Sequence, residues 1–168
     1  MVIDLVRLIL FPTLMAFAAA SDLLTMTISN RVSIILALGF LVLATVGGMA
    51  PLSIASHAGA AALVLVIAFA FFACGWIGGG DAKLAAATAL WLGFDYLLNY
   101  LLYASLLGGA LTLVLIQFRL VPLPSLLAGQ VWAQQLHRND SGIPYGIALA
   151  AAALMVYPET PWMKAVGL

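Results

Sequence analysis

The chain has 168 residues, of which 65% are hydrophobic and 7% charged, with a mean hydropathy of +1.19. Water-soluble domains carry roughly 25% charged residues, so this composition excludes a soluble globular surface and marks an integral membrane protein. Six basic and six acidic residues cancel with no basic run, which leaves neither nucleic acid nor an anionic surface as an evident partner.

Taken in chain order, six apolar segments are separated by polar or Gly/Pro punctuation, each a candidate spanning helix. The first covers residues 5–20 and ends just before Asp22. It also resembles a signal-peptide core followed by small residues at a cleavage position. Asp4 beside Arg7 makes a poor basic region, so the helix is expected to be retained. The second and third segments cover 32–48 and 58–76, and Cys74, the single cysteine, reads as a packed small hydrophobe. Gly78, Gly79, Gly80 and Asp81 follow.

The fourth segment, 82–94, is short. It makes about 20 Å of helix against roughly 30 Å of hydrocarbon. That predicts either a thinned bilayer or, as the preferred reading, a glycine stretch dipping inward beside a water-filled cavity. The fifth segment covers 96–118. The connection 119–143 carries Leu126, Leu127, Val131, Trp132 and Leu136 among polar residues after Pro122 and Pro124, the pattern of a short amphipathic helix on the cytosolic surface. The sixth covers 144–157. Continuous Ala- and Leu-rich runs argue against a β-barrel. The expected architecture is therefore an all-α integral membrane protein of about six transmembrane helices in a single bundle, one domain over residues 1–168.

Arg31, Lys83, Arg119 and Arg138 follow odd-numbered segments, whereas Arg7 and Lys164 lie towards the ends. The enrichment of cytoplasmic loops in basic residues then puts Asp22 and Asp81 at the cytosolic face and both termini outside.

Carboxylates at helix ends in a membrane protein are expensive and by default functional. Two that share a site cannot both ionise easily; the ionised one takes a proton from water while the protonated one polarises a scissile carbonyl. That is the chemistry of an aspartyl protease, and glycines beside Asp81 suit a backbone that must approach its neighbours closely. Each acid also has a structural reading, Asp81 as a first-turn acid favoured by the helix dipole and Asp22 as a turn residue.

Gly78-Gly79-Gly80-Asp81-Ala82-Lys83 resembles the GxGD-x-K signature of prepilin peptidases, the membrane aspartyl proteases that trim type IV pilin precursors. Asp22 to Asn30, DLLTMTISN, is similar to the family's other aspartate block, with Ser29 in place of a usual proline and Leu24 and Met26 where basic residues are frequent. Ile143-Pro144-Tyr145-Gly146 resembles its closing motif. The resemblance implies catalytic Asp22 and Asp81, a supporting loop of Gly78, Gly79, Gly80 and Lys83, and motif support from Asn30, Pro144, Tyr145 and Gly146. It implies no cofactor and no metal. The chain lacks the CxxC-bearing insert of larger, methylating members, so it is similar to the short form of Flp-type, tight-adherence pili. The implied substrate is a prepilin whose leader is cut before an apolar helix at the cytosolic face of the bacterial inner membrane.

Other polar residues carry less. Lys83 points to a different face from Asp81 and reads as an interfacial anchor. His57 and His137 read as residues of opposite-facing loops, Trp76, Trp91 and Trp162 as an aromatic belt, and Asn99 and Gln117 as bonds between helices. An ion- or proton-coupled transporter and a non-catalytic assembly subunit stay open as alternatives; a serine rhomboid-type enzyme lacks a suitable serine motif.

Overall fold

In a computed structural model, residues 2–164 are described, and among them the secondary structure is entirely helical. The helices are α1 (Val2–Thr25), α2 (Asn30–Val46), α3 (Pro51–Ala73), α4 (Gly79–Leu120), α5 (Val131–His137) and α6 (Tyr145–Val156). A 3-10 turn, Tyr157–Glu159, and a last helical turn, Pro161–Lys164, follow. Local chemistry sets several boundaries. Ser29 caps α2, its hydroxyl accepting from the Arg31 amide at 3.3 Å; Pro51 opens α3, where a missing N–H costs nothing; Pro122 and Pro124 follow the end of α4.

α4 is two limbs. Gly93 sits at φ 65, ψ −177, outside the helical region, and divides it into 79–92 and 94–120. Ala85 of the first limb lines one cleft with Ala104 and Gly108 of the second, so the limbs fold back beside one another. This matches the expected short fourth and longer fifth segments, with the turn at Gly93 rather than beyond Phe94.

The break would orphan carbonyls in an apolar interior, and neighbouring side chains satisfy them. His57 Nδ1 donates to the Leu90 carbonyl at 2.8 Å, and Trp162 Nε1 to that of Trp91 at 2.8 Å. Trp91 Nε1 in turn donates to the Leu36 carbonyl at 2.9 Å. Several sequence expectations are corrected here. His57 lies within α3 instead of a loop, because its ring is needed against the broken helix. Trp91 and Trp162 are buried core residues, while Trp76 is exposed. Cys74, expected to be packed, is exposed at the end of α3, and Asn99 and Gln117 face outward.

The first and last helices meet in the core. α6 packs against α1 and α4, and α4 against α2 and α3. Phe11, Trp91 and Tyr157 stack at its centre, with Phe11 and Tyr157 centroids 4.4 Å apart. Outward, Leu38, Val42, Val66, Phe69, Leu98 and Leu113 are all more than half exposed, an apolar surface suited to lipid. α1, α3 and α4 are each long and apolar enough to cross a membrane. The amphipathic connector is realised as α5, shorter than its apolar pattern: Leu136 is buried, but Leu126 and Val131 protrude.

Candidate active site

Asp22 lies in the last turn of α1, and the helix does not stop before it as the apolar run does. It is 5% exposed. Its Oδ2 accepts a 2.7 Å hydrogen bond from the backbone amide of Gly146, in the first turn of α6. Helix N-termini leave such amides without intrahelical partners, so the carboxylate satisfies α6 and is itself held by it. The alternative structural reading of Asp22 as a turn residue does not hold, since it occupies a helical position bonded to a distant helix.

Asp81 lies in the first turn of α4. The irregular backbone at this point is 74–78, and Gly79 and Gly80 are already helical, which corrects the expectation of an irregular Gly78–Gly80 stretch. The Asp81 carboxylate folds back towards Gly78, where an added Cβ would lie 2.9 Å from Oδ2. Its Oδ1 is buried with no hydrogen-bond partner. A buried unsatisfied oxygen of this kind calls for an explanation, and a site for water or substrate is one.

Both acids line a single pocket of about 380 Å³, together with Met26, Trp76, Ile77, Gly78, Gly142, Ile143 and Tyr145. All three sequence blocks thus contribute to one wall. Their meeting point is Ile28, a residue the sequence reading did not single out. A Cβ on Gly80 would lie 3.1 Å from Ile28 Cβ, and a Cβ on Gly146 would lie 2.6 Å from Ile28 Cδ1 and 2.7 Å from Asp22 Oδ2. Close approach leaves no room for a side chain at Gly146 and makes a tight contact at Gly80.

The loop 26–29 is fixed without proline. Ser21 Oγ donates to the Thr27 carbonyl at 2.9 Å, Thr25 Oγ1 bonds the Ser21 carbonyl at 2.8 Å and Thr27 Oγ1 at 2.8 Å, and Met26 takes a left-handed φ of 53. Lys83 does not reach the acids. Its Nζ donates to Asn30 Oδ1 at 2.8 Å, tying the start of α4 to the start of α2. Pro144 precedes α6, and Tyr145 lays its ring against Gly108 with its hydroxyl 3.2 Å from Thr112 Oγ1.

Arg119, read from the sequence only as a topology marker, organises the remaining wall. Nε donates to the Leu136 carbonyl at 2.8 Å, and Nη2 to the Ser141 carbonyl, the Ser141 hydroxyl and the Gly142 carbonyl at 3.2, 3.0 and 2.8 Å. A long apolar helix ending in arginine before a polar connector was the available signal. Among the described residues, no three His, Cys, Asp or Glu side chains gather as a metal-ligand set.

Comparison with curated proteins and with solved structures returns no match. The profile of the type IV leader peptidase family matches residues 9–113, well over half of the chain, a span that contains Asp22 and Asp81 and ends before Tyr145. On that match, the chain belongs to the type IV leader peptidase family.

Proposed function

We propose that the chain is a membrane-embedded aspartyl endopeptidase that removes the leader of Flp-type prepilins at the cytosolic face, without N-methylation, with Asp22 and Asp81 as its acids. The observation that carries this reading is the shared pocket, in which two carboxylates from helices far apart in sequence face the same space. One acid, ionised, accepts a proton from an attacking water; the other, protonated, donates to the scissile carbonyl, without a covalent intermediate.

Topology supports the sidedness. The α1–α2, α3–α4 and α4–α6 connections lie at the end of the bundle that holds the acids, and Arg31, Lys83, Arg119 and Arg138 lie there too. Arg7 lies at the other end, beside Gly47 and Trp162. This alternation supports a reading of six passes, counting the limbs of α4 separately, with the basic-rich end cytosolic.

Asp22→Asn and Asp81→Asn, made separately and assayed on a Flp-type prepilin in membranes, are each expected to reduce cleavage on the order of 1000-fold while the protein still accumulates. Continued processing in either variant would indicate a scaffold in which Asp22 only satisfies α6. Flux of an ion, with no proteolysis by the wild type, would indicate a transporter.

A further inference from the structure

A second cavity, about 390 Å³, lies between α3, both limbs of α4 and α6. Ile77 and Tyr145 line this cleft and the acid pocket alike, so the two cavities share part of one wall. The cleft wall includes Ala85, Ala104, Gly108 and Gly109. Such small residues let a second helix approach closely inside a membrane.

The cleft offers little to a polar ligand. The Ser105 hydroxyl donates to the Leu101 carbonyl of its own helix at 2.7 Å, and the Tyr145 hydroxyl is engaged with Thr112. Nor is it filled from within. Gly109 is exposed, and a Cβ built there would meet nothing within 4 Å.

We propose that this cleft is the specificity subsite for the apolar segment that follows the scissile bond of the substrate. The proposal rests on the peptidase reading above. A peptide held across the acid pocket and passing Tyr145 and Ile77 enters the cleft directly, where small residues receive one flank of its apolar segment. Tyr145 is then a positioning residue, its ring fixed on Gly108 between the bond to be cut and the segment that anchors it.

The test uses the full chain in lipid vesicles with a Flp-type prepilin. Gly109→Leu, which fills the cleft from an open position, is expected to lower kcat/KM at least 10-fold, mainly through KM, with an unchanged thermal melt. Gly109→Ala is expected to stay within 2-fold of wild type. In a second measurement, a photoreactive leucine analogue in the apolar segment of the prepilin is expected to label residues 104–109 of an Asp81→Asn chain. Unchanged kinetics in Gly109→Leu, or labelling confined to lipid or to other helices, overturns the subsite while leaving the peptidase intact. A wild type that cleaves nothing removes the peptidase reading and the subsite with it.

Discussion

The carboxylate of Asp22 and the backbone amide of Gly146 meet at 2.7 Å across a sequence separation of 124 residues. The contact joins the end of α1 to the start of α6, and it leaves no room for a side chain at position 146. Gly146→Ala would press its Cβ onto Asp22 Oδ2 and Ile28 Cδ1, at 2.7 and 2.6 Å. Overpacking of this kind costs about 1–3 kcal/mol. A lower melting temperature in detergent together with reduced prepilin cleavage is expected; wild-type values for both would show that the two helices part more freely than this contact implies.

Ser29→Pro is expected to be nearly neutral. Ser29 already has φ −64, the value a proline ring imposes, so the backbone accepts the change. Losing the cap costs about 1 kcal/mol, and the restricted unfolded chain returns about 0.4–1 kcal/mol. Stability within about 1 kcal/mol of wild type and retained cleavage would confirm that the loop is held by hydroxyl bonds from Ser21 and Thr25.

Lys83→Met removes the bond to Asn30 without touching the acid pocket. An exposed hydrogen bond of this sort contributes about 1 kcal/mol or less. Cleavage is expected to fall by less than about 10-fold, matched by Asn30→Ala, because the two side chains act as one tie. A loss as deep as that of Asp81→Asn would mean that Lys83 takes part in the chemistry.

How far the sequence alone reached is clearest at these positions. Apolar runs located every long helix, and the Gly78–Asp81 and Asp22–Asn30 blocks contain the two carboxylates that line one pocket. Hydropathy does not distinguish a side facing lipid from a side facing protein. Trp91 and Trp162 therefore read as an interfacial belt, although each indole N–H is committed to a backbone carbonyl. Nor does local pattern show that Ile28, Gly80 and Gly146 touch, since those contacts depend on how three helix ends converge.

Arg119→Lys is expected to loosen residues 138–143. A guanidinium satisfies three carbonyls and a hydroxyl here, and an ammonium on a flexible stem cannot hold the same fork. Faster limited proteolysis in that loop and a cleavage rate about 10-fold lower are the expected readouts. Arg138→Ala is the contrast: its pair with Asp140 is two-thirds exposed, so stability should change by less than about 0.5 kcal/mol.

Gly93→Ala and His57→Phe test the turn in α4. The first forces a non-glycine residue to φ 65 and drives its Cβ to 2.9 Å from the His57 ring, so a loss of at least about 1–2 kcal/mol is expected. The second leaves the Leu90 carbonyl without its donor, at about 1–3 kcal/mol. Equal melting temperatures for wild type and His57→Phe would show that water reaches that carbonyl.

The reach of the Asp22–Gly146 bond has a consequence in time. A chain leaving the ribosome presents both acids well before α6 exists, yet the floor beneath Asp22 and the Tyr145 wall arrive only with that helix. The pocket is thereby completed only once α6 has been made, and a nascent chain stalled after α5 would carry both carboxylates without a finished chamber around them.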